Sequence, residues 1–325
     1  MSVLLTGAGG FIGLHVAQAL LQRGEHVVGV DNLNDYYDVR LKEARLGQLR
    51  GRPGFSFEKL DIADRTAVAA LLDRHRDVAG IIHLAAQAGV RRSLEDPYVY
   101  VERNVMGTLV VLEAARRIEG LRGIVYASSS SVYGANEKQP LRVEDPVERP
   151  LSIYAATKRS CELMAQTYGH LYGLRATGLR YFTVYGPWGR PDMAPYLFTG
   201  AILAGEPIKV FNKGEMARDF TYIDDVVAGT IAAYDGLAAG GEPLHRIYNL
   251  GNHRPVKLTD FIAVIERAVG RTARQVLLPR QPGEVMGSFA DIEPARRDLG
   301  FEPKTTIETG IARFVEWYRE YHRAV

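Results

Sequence analysis

A glycine cluster near the amino terminus constrains the fold more than any other feature of the sequence. The cluster, Gly7-x-x-Gly10-x-x-Gly13, follows an apolar run at residues 3–6 that predicts a strand, and it opens a helical pattern over residues 11–23. Small residues between a strand and a helix let the backbone turn tightly and approach a pyrophosphate at the amino end of the helix. A flexible loop would explain the glycines alone, but their position favours a dinucleotide-binding site.

The next predicted strand, residues 26–31, ends in Asp31 and supports this interpretation. A carboxylate at this place can bind both ribose hydroxyls of NAD and repel the 2′-phosphate of NADP. Asp31 could instead cap a turn before Asn32. Because the glycines and the carboxylate occur together, the sequence predicts NAD as the cofactor.

Alternating strand and helix patterns continue along the chain and predict its fold class. Further strands are predicted at residues 55–61, 80–85, 123–128 and 175–182. Helical patterns lie between them at residues 65–74, 98–117 and 154–171. Such alternation with buried strands is typical of an α/β fold with a doubly wound parallel sheet of the Rossmann type.

The point along the chain where this alternation ends predicts a boundary between two domains. We expect residues 1–182 to form the NAD-binding domain. After about residue 185 the pattern becomes irregular and richer in proline. Residues 183–325 are therefore expected to form mainly a smaller, mixed α/β substrate-binding domain, with parts that return to the first domain.

Composition excludes several classes of function. The 325 residues include 40 Lys and Arg against 38 Asp and Glu, and this near balance argues against a binder of nucleic acid or anionic membranes. Cys161 is the only cysteine, which excludes an intrachain disulfide and a cysteine-based zinc site, and no spacing of histidines and acids predicts a metal. The sequence has no membrane-length apolar run and no signal-peptide pattern, so we expect a cytoplasmic protein.

A candidate catalytic pair lies in the helical pattern at residues 154–171. Tyr154 and Lys158 are four residues apart, so both side chains lie on one face of the helix. The pKa of a free tyrosine is about 10, and a neighbouring ammonium lowers it by favouring the phenolate, which is the form that acts as a base. A long helix can hold such a pair by chance. Ser129 at the end of a predicted strand adds a hydroxyl at the edge where substrates of such sheets lie.

Together these motifs resemble the extended short-chain dehydrogenase/reductase superfamily. Residues 83–87, 104–108 and 218–225 add further matching segments, and the resemblance spans nearly the whole chain. Within the superfamily the chain is most similar to nucleotide-sugar 4-epimerases, and among these to UDP-glucuronate 4-epimerases, through residues 85–91 and 181–193. The resemblance implies an NAD-dependent conversion of UDP-glucuronate to UDP-galacturonate through a transient 4-keto sugar.

The resemblance also implies roles for individual residues. Tyr154 would remove the proton from the sugar 4-hydroxyl, and Ser129 would hydrogen-bond the same oxygen. Lys158 would bind the nicotinamide ribose and lower the pKa of Tyr154. The residues expected to hold NAD are Gly7, Gly10, Phe11, Ile12, Gly13, Asp31, Asn32, Asp61, Ile62, Leu84, Ala85, Ala86, Gln87, Asn104, Tyr154, Lys158 and Tyr181.

On the substrate side, Arg190 is expected to bind the sugar carboxylate, since a guanidinium pairs with a carboxylate through two hydrogen bonds. A solvated loop arginine before Pro191 is the alternative. The other expected substrate contacts are Thr183 at the carboxylate, Ser130 and Ser131 along the sugar, Phe211 at the uracil and Arg218 at the diphosphate. Many relatives carry a further arginine where this chain has Gln281, so Arg280 either substitutes for it at the diphosphate or only reaches solvent.

Other functions stay open at this stage. Sugar 4,6-dehydratases carry an acidic pair where this chain has Ser130 and Ser131, and UDP-glucuronate decarboxylases usually place a glutamate at the position of Ser131. A 4-epimerase acting on neutral UDP-glucose or UDP-N-acetylglucosamine is a further alternative, against which Arg190 argues. A non-catalytic NAD-binding sensor is the most distant one, because such proteins commonly lose the pair formed by Tyr154 and Lys158.

The helical patterns at residues 98–117 and 154–171 also bear on oligomeric state. Each carries apolar side chains over a wide arc. In similar proteins these two helices pair with their copies, so we expect a homodimer. Burial against the sheet would explain the same pattern within one chain.

Overall fold

Seven parallel strands form the main sheet within residues 1–279 and 287–324, which the computed structural model describes. From one edge to the other they are β10 (His245–Leu250), β6 (Ala176–Tyr181), β5 (Ile124–Ser129), β4 (Val78–His83), β1 (Ser2–Thr6), β2 (His26–Asp31) and β3 (Phe55–Lys59). Along the chain, β2 and β3 join the sheet on one side of β1, and β4, β5 and β6 then join it on the other side. Ligands of such sheets bind beyond the carboxyl ends of the strands at this switch point.

Helices cover both faces of the sheet, which explains the continuous apolar runs of its strands. Val3 and Leu5 of β1 belong to one buried cluster and Leu4 between them belongs to the other, as the two-residue period of a strand requires. The first cluster includes α1 (Phe11–Gln22) and α9 (Ile223–Gly236), and the second includes α3 (Arg65–Arg74), α6 (Gly107–Ala115) and α7 (Ile153–Tyr172). The predicted α/β class with a doubly wound parallel sheet is confirmed.

Two smaller sheets come from the second half of the chain. In one, β9 (Ala217–Tyr222) pairs with β7 (Thr183–Tyr185), β13 (Gly287–Ser288) and the antiparallel β11 (Pro255–Lys257). In the other, β8 (Pro207–Phe211) runs parallel to β12 (Arg274–Leu278). The remaining helices are α2 (Val39–Gly47), α4 (Arg92–Glu95), α5 (Pro97–Tyr100), α8 (Ala194–Ala204), α10 (Leu258–Val269), α11 (Glu293–Leu299) and α12 (Ile307–Ala324).

The second half of the chain contributes to both parts of the fold. Strand β10 pairs with β6 in the main sheet, and α9 packs against α1. The boundary at residues 182 and 183 stays a prediction. Across the two described ranges, no helix combines the length and the apolar content needed to cross a membrane.

The helix predicted over residues 98–117 is interrupted. It consists of α5, a π-helical segment at Val101–Met106, and α6. A π-helical turn accommodates one residue more than an α-helical turn, and it often occurs at functional sites. Because the apolar spacing around such a turn stays close to helical, the sequence pattern did not reveal the interruption.

Helix α2 was not predicted at all. It begins after Asp38, whose carboxylate accepts a hydrogen bond from the backbone N–H of Arg40. Its buried positions include Lys42 and Arg45 as well as leucines. An apolar stripe is what usually identifies a surface helix in a sequence, and two buried cations interrupt it here.

Candidate active site

A cleft lies at the carboxyl ends of β1, β2, β4, β5 and β6. The predicted site residues on its walls are Gly7, Gly10, Phe11, Ile12, Gly13, Asp31, Asn32, Ile62, Leu84, Ala85, Ala86, Gln87, Ser129, Tyr154, Lys158, Tyr181 and Arg190. The fold thus brings together most of the predicted cofactor residues, all three predicted catalytic residues and the predicted carboxylate-binding arginine. Tyr36 and Lys42, which were not predicted, also line it.

The glycine loop between β1 and α1 leaves no room for side chains. Gly7 has φ of +79°, and a Cβ there would lie 2.8 Å from the backbone nitrogen of Ala85. A Cβ at Gly13 would lie 2.0 Å from the carbonyl oxygen of Gly7. Gly10, which has no side chain to cap the helix, is the N-cap residue of α1. A pyrophosphate can therefore approach the backbone N–H groups of the first turn directly.

Asp31 is buried at the end of β2, beside this loop. One carboxylate oxygen accepts from the backbone N–H of Gly9 at 3.1 Å and the other from that of Leu33 at 2.8 Å. Each carboxylate oxygen can accept more than one hydrogen bond, so the group is held in place and can still bind ribose hydroxyls. The loop and the carboxylate both fit the dinucleotide predicted from the sequence.

Two predicted cofactor residues, Asp61 and Asn104, are not among the described residues of the cleft walls. Asp61 accepts from Asn32 Nδ2 at 3.1 Å and also pairs with Arg103. Asn104 lies in the π-helical segment, where its Oδ1 accepts from the backbone N–H of Gln87 at 2.7 Å and its Nδ2 donates to the carbonyl of Gln87 at 3.0 Å. Both side chains therefore hold residues that do line the cleft.

Tyr154 and Lys158 lie in the first two turns of α7. The helix begins at the N-cap Ser152, whose hydroxyl accepts from the backbone N–H of Ala155 at 3.1 Å. Lys158 is only 4% exposed, and its ammonium donates to the carbonyl of Ala127 in β5 at 2.8 Å. This bond fixes the ammonium at the end of β5, on the same cleft as the Tyr154 side chain.

Ser129 is the last residue of β5, and its Oγ accepts from the backbone N–H of Ser131 at 3.2 Å. A buried ion pair supports this strand end. Ser128 donates to Glu162 of α7 at 2.6 Å, and both carboxylate oxygens of Glu162 accept from Arg180 of β6, at 2.8 and 3.0 Å. Glu162 lies one helical turn after Lys158, on the same buried face of α7.

His83, at the end of β4, is a buried structural residue. Its ring nitrogens bond the hydroxyls of Thr6 at 2.8 Å and Thr108 at 3.2 Å, and the Thr6 hydroxyl also accepts from the backbone N–H of Ala85. Burial, with a smaller contribution from the charge of Lys158, lowers the pKa of His83 to about 3. The neutral ring therefore ties β1 and β4 together beneath the glycine loop.

Arg190 lines the cleft, and its guanidinium is paired with a carboxylate. Its Nε donates to Asp192 Oδ1 at 3.0 Å and its Nη2 donates to Asp192 Oδ2 at 2.5 Å. The hydroxyl of Tyr36 donates to the same Oδ2 at 3.0 Å. Burial alone would lower the pKa of Arg190, but the neighbouring Asp192 raises it above the usual value. The guanidinium is therefore a permanent positive charge.

A second arginine, Arg45 of α2, supports the turn before Arg190. Arg45 is fully buried. Its guanidinium donates to the carbonyls of Trp188 at 2.7 Å, Gly189 at 3.1 Å and Gly9 at 3.3 Å. One buried cation thereby connects the glycine loop to the segment that carries Arg190. The sequence offers no local signal for this contact, because the groups it joins are far apart along the chain.

The remaining predicted substrate residues are absent from the described part of the cleft walls. Ser130 and Ser131 form a short helical turn after β5, and Thr183 begins β7. Phe211 ends β8, with the guanidinium of Arg91 at 4.8 Å from its ring centre. Arg218 in β9 donates to the carbonyl of Ala217 at 2.9 Å, whereas Arg280 lies outside the described residues. Their roles toward substrate stay predictions.

Within the described ranges, no group of three His, Cys, Asp or Glu side chains is arranged to hold a metal ion. The cleft carries hydroxyls, an ammonium and a guanidinium beside the glycine loop and Asp31, which fit a dinucleotide. That combination suits proton removal from an alcohol beside a hydride acceptor.

Comparison with known proteins agrees with this geometry. UDP-glucuronate 4-epimerase 3 of Arabidopsis thaliana is 47% identical over 338 residues, which cover 99% of this chain and 77% of that protein. The probable UDP-glucuronate 4-epimerase of Rhizobium meliloti is 45% identical over 342 residues, covering 99% of this chain and 98% of that protein.

Among solved structures, the UDP-glucuronic acid 4-epimerase from Bacillus cereus in complex with UDP-glucuronic acid and NAD superposes with a TM-score of 0.91. It is 35% identical and the match covers 99% of this chain and 100% of that one. The sequence model of the NAD dependent epimerase/dehydratase family matches residues 3–251. The resemblance inferred from the motifs is confirmed, and so is NAD as the cofactor. The chain belongs to the NAD dependent epimerase/dehydratase family.

Proposed function

We propose that this protein is an NAD-dependent UDP-glucuronate 4-epimerase, which interconverts UDP-glucuronate and UDP-galacturonate. The observation that carries the proposal is the position of Arg190 on the same cleft as Ser129, Tyr154 and Lys158. A guanidinium there provides a partner for a sugar carboxylate beside the groups that act on the sugar hydroxyl. The similarity to two UDP-glucuronate 4-epimerases supports the choice of substrate.

Tyr154 is proposed to remove the proton from the sugar 4-hydroxyl and to return a proton to the same oxygen later. The Lys158 ammonium, which its bond to the Ala127 carbonyl holds in place, lies on the same cleft as Tyr154 and is proposed to bind the nicotinamide ribose. Ser129 donates to the reacting oxygen. When bound, NAD accepts hydride from carbon 4 and returns it to the opposite face of the sugar. The residues predicted for the cofactor and found on the cleft walls hold it.

Arg190 has a second task that follows from the chemistry of the intermediate. A 4-keto uronate is a β-keto acid, which loses carbon dioxide when the bond to its carboxylate aligns with the ketone π system. A guanidinium that holds the carboxylate through two hydrogen bonds can keep that bond out of alignment. In this proposal Arg190 selects the uronate and also protects it, which distinguishes an epimerase from a decarboxylase.

A comparison of substrates tests the proposal. We expect kcat/KM for UDP-glucuronate to exceed that for UDP-glucose and UDP-N-acetylglucosamine by at least about tenfold, since a hydrogen bond to a charged group contributes roughly 1.5–3 kcal/mol. Initial rates can be followed by separation of the UDP-sugars. Equal or higher efficiency with a neutral sugar would contradict the proposed substrate.

A homodimer and a cytoplasmic location are part of this proposal. The cytoplasmic location rests on the single cysteine of the sequence. The homodimer rests on exposed apolar side chains along the adjoining segments 97–106 and 153–172. Among them are Tyr98 at 85%, Val101 at 51% and Leu163 at 48% exposure. Clustered exposed apolar surface commonly marks an interface.

The dimer has a direct test. Replacement of Val101 by aspartate should halve the mass measured by light scattering, because a dimer would bury an unpaired carboxylate. Leu197→Asp is the matched control, since Leu197 is 53% exposed on α8 and lies on neither segment. A wild-type protein that is monomeric at micromolar concentration would contradict the dimer.

A further inference from the structure

The pairing of Arg190 with Asp192 has a specific geometry. Asp192 occupies the side of the guanidinium that consists of Nε and one N–H of Nη2. A guanidinium carries five N–H donors, so Nη1 and the second N–H of Nη2 form another bidentate edge. A carboxylate on that second edge would lie in a direction that the bond to Asp192 determines.

Asp192 is itself held from the cofactor side of the cleft. Tyr36, which donates to it, follows β2 and Asp31 along the chain, and both Tyr36 and Arg190 line the cleft. The space for the Tyr36 hydroxyl depends on Gly89, where a Cβ would lie only 2.4 Å from that oxygen. The hydroxyl therefore packs closely against Gly89 on one side while it bonds the carboxylate of Asp192.

We propose that Asp192 is a positioning residue for uronate recognition, which, together with Tyr36, orients the Arg190 guanidinium toward the substrate carboxylate. This inference rests on the proposed function and names how its substrate is selected. An arginine that is oriented before binding loses less conformational freedom when the ligand arrives. Because Asp192 and Tyr36 act through Arg190, the affinity for a ligand without a carboxylate, such as UDP, should not depend on them.

The charge state of Asp192 agrees with this role. Burial raises its pKa, but the charge and hydrogen bonds of Arg190 and the hydroxyl of Tyr36 outweigh that effect and hold the pKa below its usual range. Asp192 is thus a carboxylate at neutral pH. Its negative charge opposes a second carboxylate on Arg190, so orientation and repulsion predict opposite effects when it is removed. The direction in which the Kd for UDP-glucuronate changes therefore tests the proposal.

The test compares binding of UDP-glucuronate with binding of UDP by titration calorimetry, in the Tyr154→Phe background where turnover is expected to be suppressed. Asp192→Asn should raise the Kd for UDP-glucuronate about tenfold, and Tyr36→Phe about threefold, since hydrogen bonds to charged groups are lost. The Kd for UDP should stay within about twofold of the starting value. Tyr36→Phe removes one oxygen and serves if Asp192→Asn does not fold.

Asp38→Asn is the matched control. Like Asp192, Asp38 pairs with an arginine two residues away in the sequence, in this case Arg40. Both side chains are exposed, and neither residue is on the cleft walls. An unchanged or lower Kd for UDP-glucuronate in the Asp192 and Tyr36 variants would overturn the inference, and so would an equal rise for UDP. Failure of the proposed function would look different, because the unmodified enzyme would then not convert UDP-glucuronate.

Discussion

Replacement of Tyr154 by phenylalanine is expected to lower kcat for UDP-glucuronate by about 10²–10⁴-fold, the range that a positioned general base contributes. The variant loses one oxygen, and the ring keeps its packing, including the edge-on contact with Tyr100 at 6.1 Å between ring centres. The loss should therefore fall on kcat, while the Kd for UDP-glucuronate changes only a few-fold. Steady-state rates and calorimetric binding measure the two effects separately.

Tyr168→Phe is the control for this experiment. Tyr168 lies on the same helix, α7, and its hydroxyl donates to Glu113 away from the cleft. We expect its kcat to stay within about twofold of wild type, because it makes no contact with the reacting groups. If Tyr154→Phe retained a tenth or more of the wild-type kcat, Tyr154 would not be the base.

Replacement of Arg190 by methionine is expected to reduce kcat/KM for UDP-glucuronate by about a hundredfold or more, since a bidentate charged pair is lost. It should also change the product. A 4-keto uronate whose carboxylate is free to rotate loses carbon dioxide, with the electron pair of the broken bond passing to the neighbouring carbon as an enolate that is then protonated. Mass spectrometry of the UDP-sugars should reveal the resulting 4-keto pentose.

Two further variants distinguish these effects from a general loss of protein stability. Arg190→Lys keeps the charge without the planar fork, so we expect an intermediate loss. Because Arg190→Met leaves Asp192 without its cation, the double variant Arg190→Met/Asp192→Asn controls for the stability of an unpaired carboxylate. Full activity in Arg190→Met without release of carbon dioxide would contradict both the recognition and the protection assigned to Arg190.

The parts of the fold that the sequence predicts correctly are those with local physical causes. The six predicted strands of the main sheet appear in the structure; most are buried and give apolar runs, whereas the edge strand β3 is only partly buried. The glycine loop is also local, since Gly7 and Gly13 lie within one tight turn where no side chain fits. Asp31 could be placed because it ends a strand that pairs directly with β1.

The parts that the sequence does not predict depend on contacts between distant segments. Helix α2 is stabilised by a buried arginine that bonds carbonyls in two remote loops, which no periodicity can show. The role of Asp192 is equally invisible, because its second partner, Tyr36, lies on another loop. Asp61 and Asn104 were assigned to the cofactor by resemblance, and in the structure they hold Asn32 and Gln87, which line the cleft.

The most direct test of the account is a proton NMR measurement of purified wild-type protein incubated with UDP-glucuronate and no added NAD. The account predicts signals of UDP-galacturonate, which would establish 4-epimerisation, the uronate substrate and a retained cofactor in one experiment. A pentose product would place the enzyme among the decarboxylases and contradict the protection by Arg190. No conversion even after NAD is supplied would contradict UDP-glucuronate as the substrate.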